Sequence, residues 1–201
     1  MKRKKSVKDK IIITGPGRAG TSFLVMLLTR IGFDTGFKPY QETFDEKVRA
    51  GCEKSLFLDG DFKEDKKKIE KAPRILKAPD YSFVLKNFCQ SGIMKISHVI
   101  IPIRDFKESV KSRLNVGLRW SLEDDEGAEE QERIIAEALG RAIEACVICK
   151  IPCTILVFPD LVKNCDYLYS QLNPIFHIDS RIFREKFEEL AESKKKSKRR
   201  R

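Results

Sequence analysis

No stretch of this chain is apolar for long enough to cross a bilayer, and the basic residues 2–5 lead toward a strand rather than an apolar leader with a cleavage site. The expectation is a cytoplasmic protein with no transmembrane segment. Histidine is scarce: His98 opens an apolar strand, and neither it nor His177 has metal-ligand spacing to the six cysteines at 52, 89, 146, 149, 153 and 165. Cys146 and Cys149 lie one helical turn apart and Cys153 opens the next strand, so three thiolates can be drawn together without a fourth ligand. Mostly reduced thiols and no bound metal are expected. No internal repeat is present. At 201 residues and 41% hydrophobic content the chain can bury one substantial core and has no room for a second full domain.

The core also lacks the positive charge that the total suggests. Of the formal net charge of +10, residues 1–10 carry +5 and residues 194–201 carry +7, which leaves −2 on everything between. Three parts follow: a basic N-terminal extension over 1–10, a single domain over 11–192, and a basic tail over 193–201. The tail repels itself and is expected to be disordered in isolation, free to contact an anionic polymer or an acidic membrane surface.

What the chain does have is an apolar strand, 11–14, that runs into Gly15-Pro16-Gly17-Arg18-Ala19-Gly20-Thr21-Ser22 and then into a helix of apolar period. Glycines at this spacing let backbone N–H groups converge on an anion, and the helix start adds its positive dipole end. Gly15 and Gly20 keep the spacing of the nucleoside-triphosphatase loop G-x-x-x-x-G-K-[ST], but Thr21 stands in the lysine position. The usual partner of β- and γ-phosphates is therefore missing.

The segment Arg18-Ala19-Gly20-Thr21-Ser22-Phe23-Leu24 resembles the 5′-phosphate loop [KR]-x-G-T-[ST]-x-L of the sulfotransferases that use 3′-phosphoadenylyl sulfate (PAPS). Further segments extend the resemblance, in the family's order, from about residue 11 to 172. Arg104 ends an apolar strand and Ser112 follows eight residues later on a helix, matching the pair that grips the 3′-phosphate in the family; the family's usual proline is Phe106 here. Lys77-Ala78-Pro79-Asp80-Tyr81 is similar to the K-[TS]-P-x-Y segment of the heparan-type and related carbohydrate enzymes, whose lysine faces the scissile sulfate. Glu53-Lys54-Ser55-Leu56-Phe57 is similar to the E-x-x-[FL]-F segment that holds their catalytic base, with Glu42, Asp45 and Glu46 as rival carboxylates. Residues 154–162 resemble the strand-to-helix Y-E-D-L segment, read as scaffold. The family's C-terminal basic-glycine loop has no counterpart after Leu172, leaving Arg181 and Arg184 as candidate substitutes.

Periodicity predicts strands over 11–14, 74–77, 98–103 and 153–158 and helices over 21–31, 80–89, 105–116, 128–150, 160–172 and 180–192, with a mixed polar region over 33–72. Alternation of short apolar strands with helices implies an α/β fold. A P-loop three-layer α/β/α sandwich on a central parallel sheet is expected, with ligands at the carboxyl ends of the strands. The resemblance implies sulfuryl transfer from PAPS to a hydroxyl or amine acceptor, with adenosine 3′,5′-bisphosphate as the product. Glu53 would act as base, and Arg18 and Lys77 would stabilise the sulfuryl group and the bridging oxygen. The donor would be held by Gly17, Arg18, Ala19, Gly20, Thr21, Ser22, Arg104 and Ser112, with no metal. Two alternatives stay open. One is a P-loop kinase in which Asp105 helps to hold magnesium; the other is an inactive nucleotide-binding module with a nucleic-acid-binding tail. Acceptor choice would fall to the loops over 33–72 and 114–128, where Phe37, Tyr40, Phe44 and Trp120 could form an apolar wall.

Overall fold

A computed structural model of the chain describes residues 9–40, 62–115 and 127–199. Four parallel strands, β1 (Lys10–Ile13), β2 (Ile75–Lys77), β3 (Ile96–Ile103) and β4 (Cys153–Val157), form one sheet in the order β2-β1-β3-β4. Between and after them run α1 (Thr21–Ile31), α2 (Phe62–Lys71), α3 (Tyr81–Gln90), α4 (Phe106–Leu114), α5 (Ala128–Ile148), α6 (Asp160–Lys163), α7 (Cys165–Phe176) and α8 (Ser180–Arg199). This is the expected α/β/α architecture on a parallel sheet.

The layers follow from the two-residue period of the strands. Ile11 and Ile13 point to one face, where Ile75, Ile100 and Leu156 meet Phe23 and Leu27 of α1 and Leu161, Leu172, Phe183 and Phe187 of α6 to α8. Ile12 points to the other, where Leu76, Val99 and Ile101 meet Ile69 of α2, Tyr81 and Leu85 of α3 and Ala142 and Ala145 of α5. A strand buried on both faces reads as a continuous β-branched run, which is why Ile11-Ile12-Ile13 was legible as a central strand. The strand begins one residue earlier than expected. Lys10 opens β1 at 2% exposure, and its ammonium donates to the Ala72 carbonyl at 2.6 Å and the Pro73 carbonyl at 3.2 Å, so a residue assigned to the basic extension is a satisfied core residue at the N-terminal edge of the sheet.

Three helical boundaries differ from the periodicity, each for a local reason. The polar region contains α2, whose Glu64 and Asp65 in the first turn and Lys68 and Lys71 in the last complement the helix dipole. The helix expected over 160–172 is two, because the Asn164 backbone turns extended, with φ −112° and ψ 101°, and its side chain accepts from the Tyr167 amide at 3.0 Å, capping α7. Helix α8 runs to Arg199 rather than ending at 192, through most of the residues expected as a disordered tail. Lys and Arg are good helix formers.

Candidate anion-binding site

The carboxyl ends of the strands bring the expected segments to one rim. After β1 comes the glycine loop, after β2 the Lys77–Pro79 step, after β3 Arg104 and after β4 Phe158. Lys77 pairs in register with Ile13, immediately before the loop, and is 4% exposed. Thr14 then ties the two segments together. Its Oγ1 lies 2.9 Å from the Ala78 carbonyl, 3.2 Å from the Pro79 carbonyl and 3.0 Å from Ser82 Oγ. With one proton to give, the Thr14 hydroxyl donates to the backbone and can accept from Ser82. Ser82 lies in the first turn of α3 and was not expected among the site residues.

The loop itself follows a left-handed path, with Gly15, Gly17, Arg18 and Gly20 at φ of 128°, 73°, 57° and 92°. Gly20 is the N-cap of α1 and has no side chain to spare room for. A Cβ there would stand 2.7 Å from Leu161 Cδ1, so both backbone angle and packing demand glycine. Gly20 itself offers no side chain to cap α1, and the helix N-terminus opens beside the loop. Thr21 is buried at that start and Ser22 is half-buried. Arg18 is a non-glycine residue in the left-handed region, a conformation costing about 1 kcal/mol or more. Its Nε donates to Ser112 Oγ at 3.1 Å.

Ser112 thus meets Arg18, and Arg104, the other half of the pair expected at the 3′-phosphate, makes its own contacts nearby. Arg104 Nη2 donates to Glu108 Oε2 at 3.0 Å, and its guanidinium carbon lies 4.8 Å from the centroid of the Phe158 ring. Both residues line a cavity of about 430 Å³ between the β3–α4 and β4–α6 connections, with Lys107, Glu132 and Val157. Phe158, in a segment read as scaffold, is therefore a wall of the rim. Asp105 also lines this cavity, but its Oδ1 accepts from the Glu108 amide at 2.9 Å as the N-cap of α4. One carboxylate oxygen of the proposed magnesium ligand is thereby committed to the helix.

Two further site residues, besides Ser82, were missed by the sequence reading. Arg113, 5% exposed, donates from Nη1 to the Pro16 carbonyl at 2.8 Å and from Nε to Gln131 Oε1 at 3.2 Å; Gln131 is fully buried. Burial, and then the nearby charge of Arg18, lower the pKa of Arg113. Two guanidinium groups at one glycine loop favour an anion there electrostatically.

Glu53 and its rivals Glu42, Asp45 and Glu46 lie outside the described residues, as do Phe44, Trp120 and Cys52. Of the other aromatics, Phe37 packs on the α1 to α8 core, and Tyr40 lies under Arg30 and donates to Glu189 Oε2 at 3.0 Å. Arg184 donates to Asp166 at 2.6 Å and Arg181 pairs with Asp179 at 3.8 Å, placing both on the α7–α8 surface. His98 Nε2 lies 2.9 Å from Thr154 Oγ1 between β3 and β4, a structural contact, and burial lowers its pKa.

Four thiols gather where α3, the end of α5 and the start of β4 meet. Cys89 lies beside Cys149, and Cys146 beside Cys153, but among the described residues no group of three His, Cys, Asp or Glu side chains is arranged to hold a metal ion. Burial first, and then the neighbouring thiols, push Cys89 and Cys146 up to about 12. A raised pKa depletes the reactive thiolate at neutral pH. Timed alkylation with iodoacetamide at pH 7.5, read by peptide mass spectrometry, should find Cys89 and Cys146 labelled far more slowly than a model thiol; labelling at the model rate would contradict this.

No family model matches the sequence, and no curated protein matches it. Among solved structures, the chain is similar to the sulfotransferase domain from the curacin biosynthetic pathway, at 12% identity and a TM-score of 0.50, over 85% of this chain and 74% of that one. It is also matched to the sulfotransferase domain from the Synechococcus PCC 7002 olefin synthase, at 14% identity and a TM-score of 0.44, over 95% of this chain and 96% of that one. The first likeness carries the fold: this chain has the P-loop α/β fold of a sulfotransferase domain. Among the described residues no helix is long and apolar enough to cross a membrane.

Proposed function

We propose that this chain is a sulfotransferase that moves a sulfuryl group from PAPS to a hydroxyl or amine acceptor. The observation that carries the reading is the glycine loop, with threonine in the lysine position, opening the N-terminus of α1 beside Lys77. Loop amides, the Thr21 and Ser22 hydroxyls and the Arg18 guanidinium form a donor set suited to one phosphate and its attached sulfuryl group, without a metal. When bound, PAPS supplies a sulfuryl group already activated as a phosphate–sulfate anhydride.

The roles proposed for the chain's own residues rest on the resemblance and, for the described ones, on their places along the rim. The loop over 15–22 holds the 5′-phosphate. Lys77, fixed by the Thr14 tether, meets the bridging oxygen as its bond to sulfur breaks and the acceptor oxygen bonds to sulfur in line. Arg104 exchanges its contact with the exposed Glu108, an ion pair of little worth, for the 3′-phosphate. The cavity beside Phe158 receives the nucleoside, whose flat base suits an aromatic wall. Glu53 takes the acceptor proton. The kinase alternative loses support because Asp105 caps α4.

Calorimetry with adenosine 3′,5′-bisphosphate, ADP and Mg-ATP tests the reading. Adenosine 3′,5′-bisphosphate should bind without magnesium and more tightly than ADP by about tenfold or more, the worth of a charge-assisted contact. Tighter binding of Mg-ATP would overturn it.

A further inference from the structure

We infer that Arg113 is a positioning residue that sets the direction of the Gly17 amide in the phosphate loop; this rests on the reading that the loop receives a 5′-phosphate. The guanidinium is clamped between two elements. One arm donates to the Pro16 carbonyl at 2.8 Å, and Nε donates to the buried Gln131 side chain of α5 at 3.2 Å. The peptide unit between Pro16 and Gly17 is planar, and in a trans unit the carbonyl and the following N–H point in opposite directions. Holding the Pro16 carbonyl toward α4 therefore turns the Gly17 N–H away from α4.

This peptide plane needs such a restraint. The proline ring fixes only its own φ, and Gly17, at φ 73°, accepts either sign of that angle at little cost. The sequence at this step leaves both orientations open, and a hydrogen bond from a buried, charged donor chooses between them. Packing leaves room for the choice to matter. A Cβ at Gly17 would stand 3.8 Å from Arg113 Nη1 and 3.9 Å from Pro79 Cγ, so an added methyl would just touch both and the glycine itself leaves that space open. Burying a guanidinium near a second one is costly, as its lowered pKa reflects, and an anion in the loop offsets that cost.

Arg113→Lys keeps the charge and loses the planar fork, so it separates orientation from electrostatics. Binding of adenosine 5′-monophosphate and of adenosine 3′,5′-bisphosphate should each weaken about tenfold, while adenosine 3′-monophosphate, which has no 5′-phosphate, binds as before. In the ligand-free protein the Gly17 amide signal in the ¹H–¹⁵N spectrum should broaden or double as the peptide samples both orientations. Gln131→Met, which slackens the clamp from the α5 side, should show the same selectivity in weaker form. Wild-type affinity for the 5′-phosphate in Arg113→Lys, or equal loss of all three nucleotides with a lowered melting temperature, would overturn the inference. If the wild-type protein binds no 5′-nucleotide while the Gly17 signal still changes in Arg113→Lys, the functional reading fails and the positioning role stands.

Discussion

Lys77→Met should slow single-turnover sulfuryl transfer from labelled PAPS by on the order of a hundredfold, about 2.7 kcal/mol, and change the affinity for adenosine 3′,5′-bisphosphate by much less. Methionine is the informative replacement because Lys77 is 4% exposed at the end of β2, and an alanine there would open a cavity beside the loop. The expected split between turnover and affinity comes from timing. Negative charge builds on the bridging oxygen only as its bond to sulfur breaks, so a fixed cation gains more in the transition state than in the bound ground state. Equal losses in rate and affinity would make Lys77 an ordinary phosphate contact. Unchanged turnover would remove it from the mechanism.

Glu53→Gln belongs in the same assay. Its amide keeps the shape of the side chain and gives up the base, so transfer should fall by about a hundredfold if Glu53 takes the acceptor proton, whereas Glu42→Gln should stay active. Loss of activity in Glu42→Gln with retention in Glu53→Gln would exchange their roles and leave the transfer itself intact.

The parts of this fold legible in the sequence are those where one local pattern suffices. Three consecutive isoleucines before a glycine loop announce a strand buried on both faces, and the Thr-Ser-Phe-Leu run after Gly20 announces a helix with an apolar side. Helix α2 was hidden because Phe-Lys-Glu-Asp-Lys-Lys-Lys-Ile-Glu-Lys looks like a solvated charge run. Among its described side chains Ile69, at 1% exposure, is the one buried apolar residue, too few to set a period. Buried polar residues escaped for a related reason. Lys10, Arg113 and Gln131 are tolerated inside only because carbonyl or amide partners lie far away in the chain, and no spacing rule encodes a contact between positions 16 and 113. The segments of the resemblance lie along one rim, whereas the contacts their side chains make there, Ser112 with Arg18 and Arg104 with Glu108, are set by the fold and written in none of the motifs.

That pairing makes Arg104 the sharpest test of how the donor lies across the rim. In the ligand-free protein its guanidinium is held by an exposed carboxylate and by the Phe158 face, neither of which binds it strongly. Arg104→Ala should therefore leave stability nearly unchanged. It should weaken adenosine 3′,5′-bisphosphate by roughly 10- to 150-fold, about 1.5 to 3 kcal/mol, and adenosine 5′-monophosphate by little. Glu108→Gln should act in the opposite direction, tightening the bisphosphate modestly, because it releases the guanidinium without altering the cavity. Phe158→Ala should weaken both nucleotides together, since the base they share is what an aromatic wall would hold. Calorimetry on the three variants separates the contributions: a loss in Arg104→Ala that is equal for the two nucleotides would move the 3′-phosphate away from β3, and an unchanged Phe158→Ala would move the base out of the cavity.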